Sequence, residues 1–143
     1  MKFWDSSAVF TLCVQEPQSA LLKALLEEDG AIGAWWATPV ECYSALARLR
    51  REGIINRDGE DRARSVVDSL SMAWVEIEPN RQVREGARRL LLLHTLRAAD
   101  ALQLAAALVW ANGRPTGHGF VCLDQRLREA ASREGFQVLP AQG

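Results

Sequence analysis

The most apolar stretch of the chain runs from Ala98 to Ala111, and within it only Asp100 and Gln103 are polar. Its density of Ala and Leu, without Gly or Pro, predicts a helix. A helix that is apolar on all sides is normally buried in the protein core. We therefore expect Asp100 to need a counter-charge, a proton or a metal ion, because an unpaired buried charge is costly.

Apolar and amphipathic segments along the rest of the chain predict strands that alternate with helices. The predicted strands are Lys2–Trp4, Ala31–Ala37, Trp74–Ile77, Phe120–Leu123 and Gln137–Leu139. The predicted helices are Ser6–Val14, Pro17–Asp29, Thr38–Glu52, 57–72, Arg81–Leu93, Ala98–Ala111 and Gln125–Glu134. This order predicts an α/β fold with a central parallel sheet flanked by helices on both faces.

Composition and charge narrow the class of protein. The 143 residues are enough for a single domain, predicted to span 1–143. A formal net charge of −1 gives no overall field that would indicate a nucleic-acid or membrane surface as partner. Cys13, Cys42 and Cys122 share no disulfide or metal-ligand spacing, so we expect buried free thiols. We expect no signal peptide, no contact with a membrane and a cytoplasmic location.

Acidic residues follow three of the predicted strands. Asp5 follows the first strand, Glu41 lies just after the second, and Asp124 closes the fourth. Sites in parallel α/β sheets form at the carboxyl ends of strands. The three acids are therefore predicted to lie at one edge of the sheet, where Asp100 on the buried helix could join them.

Three of these acids also have a simpler explanation. Asp5 and Asp124 precede helices, where Asp is a favoured N-cap. Thr38-Pro39-Val40-Glu41 has the pattern of a capping box with Pro at the first helical position. Capping explains Asp100 poorly because it falls inside its helix, and Arg97, three residues earlier, is an alternative salt-bridge partner for it.

If the four carboxylates converge, they cannot all stay ionised without a counter-charge. Two carboxylates about 5 Å apart repel by roughly 3 kcal/mol at an effective dielectric constant of about 20. Mg²⁺ or Mn²⁺ is the natural counterion for an all-oxygen site. One or two such ions can activate water for phosphodiester hydrolysis.

Four segments resemble, in order and spacing, the motifs of PIN-domain proteins, and in particular those of the small VapC-type toxins of toxin–antitoxin pairs. They are Phe3-Trp4-Asp5-Ser6-Ser7-Ala8, Thr38-Pro39-Val40-Glu41, Leu96-Arg97-Ala98-Ala99-Asp100-Ala101-Leu102-Gln103-Leu104-Ala105 and Phe120-Val121-Cys122-Leu123-Asp124-Gln125-Arg126-Leu127. The likeness spans essentially the whole chain, and the third segment is more specific than the first. Residues 53–95 carry no signature of the family.

The resemblance implies a PIN-like domain with the activity of a metal-dependent ribonuclease. Its catalytic and metal-binding residues are implied to be Asp5, Glu41, Asp100 and Asp124. Ser7 matches the small hydroxyl residue that supports this site in the family, and Thr38 is assigned the same role. The resemblance also implies Mg²⁺ or Mn²⁺ as cofactor, RNA as substrate and attack on its phosphodiester bonds by a metal-activated water. It further implies a homodimer and a cognate VapB-type antitoxin that blocks the site.

Aromatic and basic residues offer further candidates. Trp35, Trp36 and Trp110 either serve the implied interfaces or pack within the fold. His94 and His118 have no metal partner at a suitable spacing, and we expect them to be structural or solvent-facing.

The arginines near the end of the helix that Glu41 begins are Arg48, Arg50 and Arg51. Their positive charge is favourable at a helix C-terminus. Contact with RNA phosphates is the alternative role.

Three other functions compete with that of a toxin ribonuclease. Phosphotransferases with a doubly wound sheet also place an Asp after the first strand, but they use a late Lys, and no Lys follows Lys23 here. A PIN-like binding module without activity would have lost an acid, and all four are present. A PIN nuclease that processes RNA remains an alternative, and an adjacent upstream antitoxin gene would distinguish a toxin from it.

Overall fold

The computed structural model describes residues 1–141, so residues 142 and 143 of the predicted domain lie outside the described residues. Residues 1–141 form five strands and seven helices. The strands are β1 (Lys2–Trp4), β2 (Ile32–Trp35), β3 (Val75–Ile77), β4 (Gly119–Val121) and β5 (Gln137–Leu139). The helices are α1 (Ser6–Cys13), α2 (Ser19–Asp29), α3 (Thr38–Arg51), α4 (Arg57–Ala73), α5 (Arg81–Leu93), α6 (Ala98–Trp110) and α7 (Gln125–Glu134).

All five strands run parallel in one sheet, in the order β3-β2-β1-β4-β5. In the central strand β1, Phe3 pairs with Gly33 of β2 on one side and with Phe120 of β4 on the other. The chain moves outward from β1 to β3 and then crosses back to build β4 and β5 on the opposite side. Such a reversal leaves a crevice at the carboxyl end of the central strand, which is the usual position of a site in an open α/β sheet.

Helices cover both faces of the sheet, because successive side chains of a strand point to opposite faces. Phe3 and Phe120 belong to a core cluster with residues of α5, α6 and α7. Trp4 and Val121 belong to a second cluster with residues of α1, α2, α3 and α4. The predicted α/β fold, with a parallel sheet between two layers of helices, is confirmed.

The apolar helix α6 is buried as its sequence predicts. Ala101 and the four residues from Leu104 to Ala107 are nearly inaccessible, and α6 packs against α5. Its two polar residues differ, because Gln103 is 1% exposed whereas Asp100 is half-buried in the first turn. The helix is buried as expected, but Asp100 is less buried than the rest of it, since this end of the helix meets solvent.

The other predicted bounds agree with the structure to within two residues. Strand β2 ends at Trp35 rather than Ala37, because the next two residues turn into α3. Helix α2 begins at Ser19 rather than Pro17, because Pro17 and Gln18 form a turn that is closed by a hydrogen bond from the Ser19 backbone N–H to the Glu16 carbonyl at 3.0 Å. These errors lie at element ends and leave the order of elements unchanged.

The cysteines are free, as expected. Cys42 and Cys122 are buried and Cys13 is half-buried, and burial raises the pKa of all three thiols, that of Cys13 to about 12. No helix in the described part of the chain has the length and apolar character needed to cross a membrane.

Candidate active site

A cleft of about 390 Å³ opens at the carboxyl ends of β1 and β4, where the reversal of strand order predicts a site. All four predicted acids line this cleft, and so does Ser7. The rest of the lining is Ser6, Phe10, Thr11, Glu16, Gln18, Ala45, Arg48 and Leu123. Acids that are far apart in the sequence are thus brought to one surface.

Asp5 is the most deeply buried acid of the cleft, with 2% of its surface exposed. Its Oδ1 accepts hydrogen bonds from the Ala8 backbone N–H at 3.1 Å and from the Ser7 hydroxyl at 2.7 Å. Its Oδ2 accepts a weaker one from the Cys122 thiol at 3.4 Å. Burial raises the pKa of Asp5 to about 6, and these bonds only partly oppose the rise. The predicted N-cap is confirmed.

Ser7 joins the ends of β1 and β4. Its hydroxyl donates to Asp5 and accepts a hydrogen bond from the backbone N–H of Leu123 at 3.0 Å. Leu123 directly precedes Asp124, so one small side chain links the segments that carry two of the acids. These contacts are what a supporting role for Ser7 requires, and the role itself stays a prediction.

Glu41 is held by a residue of α6 and not by a capping box. The N-cap of α3 is Ala37, with no side-chain cap bond, so the capping box predicted for Thr38 and Glu41 is wrong. Thr38 lies inside the first turn and is buried. The Nε2 group of Gln103 donates to Thr38 Oγ1 at 3.0 Å and also to Glu41 Oε2. The local explanation of Glu41 therefore does not apply.

The electrostatic surroundings of Glu41 connect it to the other acids. Burial raises the pKa of Glu41, and the negative charge of Asp100 raises it further. Hydrogen bonds from the side chains of Gln103 and Ser6 oppose this rise. Glu41 and Asp100 therefore repel each other in the cleft.

Asp100 is contacted by the backbone of Arg97 and not by its guanidinium group. Burial raises the pKa of Asp100, and the charge of Asp124 adds to the rise. A hydrogen bond from the Arg97 backbone and the positive charges of Arg97 and Arg126 oppose it. Arg97 is the N-cap residue of α6, so Asp100 supplies half of a capping box after all. The alternative salt bridge to Arg97 is not among the ion pairs of residues 1–141.

Asp124 caps α7, as its position before that helix predicts. Its Oδ1 accepts hydrogen bonds from the backbone N–H groups of Arg126 at 3.0 Å and Leu127 at 3.3 Å. Both bonds of the cap thus engage the same oxygen atom. A cap and a ligand are therefore compatible roles, because the cap occupies only one of the two carboxylate oxygens.

The chemistry of the four acids fits a hard divalent cation. Carboxylate oxygens are the ligands that Mg²⁺ and Mn²⁺ prefer. In residues 1–141, no three Asp, Glu, His or Cys side chains are close enough together to hold an ion as they stand. Mg²⁺ usually keeps several waters and binds one or two protein carboxylates together with substrate phosphates. An open cleft lined by acids suits that mode of binding.

The tryptophans and histidines are mostly structural. Trp35 is buried, and Trp110 packs against Phe3 with 6.0 Å between ring centroids. The rings of His118 and Trp110 are nearly perpendicular, with 5.2 Å between their centroids. Of the three tryptophans Trp36 is the most exposed, at 50%, which makes it the best placed for an interface.

His94 is also structural, because its Nε2 lies 2.7 Å from a carboxylate oxygen of Glu134 and the ring is almost fully buried. Neither histidine lines the cleft. The expectation that both are structural or solvent-facing is confirmed.

The three arginines at the end of α3 have different surroundings. Arg50 lies 3.6 Å from Glu60, Arg51 is exposed, and Arg48 lines the cleft. All three occupy the last turn of α3, where positive charge is favourable. Of the three, Arg48 alone is placed to contact a ligand in the cleft.

Gln103 is the main site residue that sequence reasoning missed. It is one of the two polar residues in the apolar helix, and a buried amide needs hydrogen-bond partners. The same argument that drew attention to Asp100 therefore applied to Gln103. Its position on α6 three residues after Asp100 was the available signal.

Comparison with known proteins identifies the family. No protein-family model matches the chain. Over 141 residues the chain is 33% identical to Ribonuclease VapC45 and to Ribonuclease VapC49, both of Mycobacterium tuberculosis, and the match covers 98% of this chain and 95% of each relative. The chain belongs to the VapC family of ribonucleases. The predicted resemblance to VapC proteins is thereby confirmed.

Solved structures agree with VapC membership at the level of the fold. VapC20 of Mycobacterium tuberculosis, described as a sarcin–ricin loop cleaving toxin, matches with a TM-score of 0.67 and 17% identity, over 96% of this chain and 97% of that one. A toxin–antitoxin complex from Klebsiella pneumoniae matches with a TM-score of 0.58 and 18% identity, over 88% of each chain. At these identities the matches show a shared fold, which is the PIN-like fold predicted from the sequence.

Proposed function

We propose that residues 1–143 form one PIN domain that acts as a divalent-metal-dependent endoribonuclease, the toxin of a toxin–antitoxin pair. The observation that most strongly supports this proposal is that one cleft at the carboxyl ends of the strands is lined by Asp5, Glu41, Asp100 and Asp124. Membership of the VapC family of ribonucleases supports RNA as the substrate.

Mg²⁺ or Mn²⁺ is the cofactor that we propose for this cleft, held by the oxygens of the four acids either directly or through bound water. When bound, such an ion activates a water and stabilises negative charge on the leaving oxygen of a phosphodiester. The Ser7 hydroxyl donates a hydrogen bond to the carboxylate of Asp5, and the Gln103 amide donates one to the carboxylate of Glu41 and one to Thr38. The protein thereby fixes the orientation of two carboxylates before RNA binds, which lowers the cost of ordering them in the reaction.

The test replaces each acid by its amide, as in Asp100→Asn, and measures cleavage of RNA with Mg²⁺ or Mn²⁺ present. Asp5→Asn and Asp124→Asn retain an N-cap, because Asn caps helices as well as Asp does. We expect the variants to fold and to lose cleavage. Full activity in Asp100→Asn would contradict the proposal.

The matched control for these variants is Asp58→Asn. Asp58 is an exposed acid in the first turn of α4 and does not line the cleft. We expect full cleavage by this variant. Loss of activity in it as well would show that the amide changes act through the fold or the net charge rather than through the cleft.

A VapB-type antitoxin is the partner that we propose. The structural match to a toxin–antitoxin complex supports this partner. The test is to co-express the chain with the product of the adjacent upstream gene. A complex in which RNA cleavage is blocked supports the proposal. A nuclease whose neighbouring gene product neither binds nor inhibits it would favour an RNA-processing function.

We also propose that the protein is a homodimer and that it acts in the cytoplasm. Trp36 and Val40 are 50% and 70% exposed, and burying such apolar side chains at an interface is favourable. The unpaired thiols of Cys13, Cys42 and Cys122 suit a reducing compartment. Sedimentation of the purified protein tests the dimer, and Trp36→Glu is expected to dissociate it.

A further inference from the structure

Positive charge flanks the acidic cleft on both sides. Arg48 lines the cleft itself. A second depression, of about 500 Å³, is lined by Arg97 and Arg126 and shares Asp100 and Asp124 with the cleft. A continuous surface therefore leads from one arginine, past the acids, to two others.

None of these three arginines forms an ion pair with a carboxylate within the described part of the chain. The ion pairs found in residues 1–141 do not include Arg48, Arg97 or Arg126. Arg97 and Arg126 nevertheless lie close enough to the site for their charges to lower the pKa of Asp100. Their guanidinium groups are thus available to a ligand that lies next to the acids.

The arrangement of charge suits one kind of ligand. Each internucleotide phosphate of RNA is negative and is repelled by carboxylates at short range. A planar, permanently charged guanidinium group binds a phosphate through two parallel hydrogen bonds. An RNA strand can therefore lie across an acidic cleft if arginines bind its phosphates on either side.

We propose that an RNA strand crosses the cleft with phosphates on one side of the cleaved bond bound by Arg48, and phosphates on the other side bound by Arg97 and Arg126. This inference rests on the proposed ribonuclease function, because it takes the acids as the place of cleavage. Contacts to phosphates carry no base recognition. The three arginines therefore set the path and register of the strand for any sequence.

The first test measures binding without cleavage. Fluorescence anisotropy reports the affinity for a labelled single-stranded RNA oligonucleotide in the presence of a chelator, at several salt concentrations. For each phosphate that a variant no longer binds, the slope of log affinity against log salt is expected to fall by about 0.7. We expect that fall in Arg48→Gln, Arg97→Gln and Arg126→Gln, with similar weakening for RNAs of different sequence.

Matched controls come from the same helices. Arg51→Gln changes an exposed arginine of α3, and Arg133→Gln changes an exposed arginine of α7, and neither residue lines the two depressions. Both controls are expected to bind like the unchanged protein. If the three test variants bind like the controls, the proposed path is wrong.

The second test assigns each arginine to a side of the cleaved bond. An oligonucleotide that the protein cuts at one position is made with a single neutral methylphosphonate either before or after that position. When the neutral linkage is on one side of that position, Arg48→Gln is expected to cause no further loss of RNA affinity, because the phosphate charge that Arg48 binds is already gone. The linkage on the other side is expected to do the same for Arg97→Gln and Arg126→Gln. If one linkage cancels the effect of all three changes, the strand does not cross the cleft.

The two tests separate this inference from the proposed function. Cleavage that is unaffected by the arginine changes would overturn the path and leave the ribonuclease intact. Binding that depends on the arginines, in a protein that never cleaves RNA when Mg²⁺ or Mn²⁺ is supplied, would overturn the ribonuclease and support only the contacts between the arginines and phosphates.

Discussion

The side-chain amide of Gln103 donates a hydrogen bond to the carboxylate of Glu41, although 62 positions separate the two residues. The same nitrogen donates to the hydroxyl of Thr38 at 3.0 Å. Helix α6 is thereby tied to the first turn of α3 at a point where the amide is 1% exposed. Gln103, on the buried face of α6, therefore orients the side chain of Glu41, which belongs to α3.

Gln103→Met keeps the size of the side chain and removes its donor. We expect the free energy of unfolding to fall by about 1–3 kcal/mol, because buried polar groups lose their partner. The pKa of Glu41 is expected to rise, since Gln103 bonds to its charged form. The pH profile of RNA cleavage should accordingly shift to higher pH.

Gln82→Met is the matched control for this prediction, because Gln82 is exposed on α5 and does not line the cleft. We expect unchanged stability and an unchanged pH profile in the control. A pH profile that stays the same in Gln103→Met would mean that the amide has only a structural role.

Asp5→Asn is expected to stabilise the protein above about pH 6. Burial raises the pKa of Asp5 from about 4 in the unfolded chain to about 6 in the fold. A group whose pKa is raised by folding stabilises the folded state at pH values below its pKa in the unfolded chain. That contribution is lost as the pH rises through its pKa in the folded protein. The variant cannot ionise, so its advantage should reach up to about 3 kcal/mol above pH 6 and shrink toward pH 4.

Urea denaturation over this pH range, with a chelator present, measures the effect. Asp124→Asn is the control, since it makes the same change at a helix cap whose side chain is exposed. Lower stability of Asp5→Asn near neutral pH would be evidence that the fold compensates the charge of Asp5.

Mg²⁺ or Mn²⁺ is expected to raise the melting temperature of the unchanged protein. A ligand that binds only the folded state stabilises it, by about 2.7 kcal/mol at a concentration 100 times its Kd. The gain should shrink below about pH 6, where protons compete for Asp5. It should also shrink in Asp100→Asn.

Monovalent salt at equal ionic strength is the control for the divalent ions, because it screens charge without occupying a site. If neither ion shifts the melting temperature and cleavage survives a chelator, the proposed cofactor is wrong.

Arg128 is a buried arginine whose two terminal nitrogens donate at 2.7 Å to the carbonyl oxygens of Cys122 and Pro140. It ties the segment that leads to Asp124 to the end of β5. Arg128→Lys keeps the positive charge but has one terminal nitrogen in place of two, so one of the two carbonyl groups loses its hydrogen-bond donor. We expect a loss of about 1–3 kcal/mol in the free energy of unfolding.

Thermal melting compares Arg128→Lys with Arg133→Lys, an exposed arginine on the same helix. Equal melting temperatures for the two variants would contradict the anchoring role. Weaker RNA cleavage by Arg128→Lys alone would connect the anchor to the position of Asp124.

The fold could be predicted because its signals are local. The apolar run from Ala98 to Ala111 is long enough to distinguish a buried helix from a strand, and short apolar segments separated by amphipathic helices indicate a parallel sheet. The position of acids after strands is equally local. The pattern of elements therefore predicts a topology that places Asp5 and Asp124 at the cleft.

The remaining features depend on interactions between distant parts of the chain. The capping rule favours Thr38 and Glu41 as a pair because it uses only neighbours, whereas their real partner, Gln103, lies on another helix. The partial exposure of Asp100 could not be predicted, because an apolar sequence shows that a helix is buried but not which end reaches solvent. The pairing state of Arg48 likewise depends on the tertiary fold.

Because Phe3 pairs with Phe120, the order of synthesis decides when the cleft can form. The ribosome releases β1 first, and its edge toward β4 stays unpaired until residues 119–121 have emerged. The Ser7 bond to Leu123 also depends on that late strand. Asp5 and Asp124 line one cleft only after both events, so growing chains that end before β4 cannot contain the four-acid cleft.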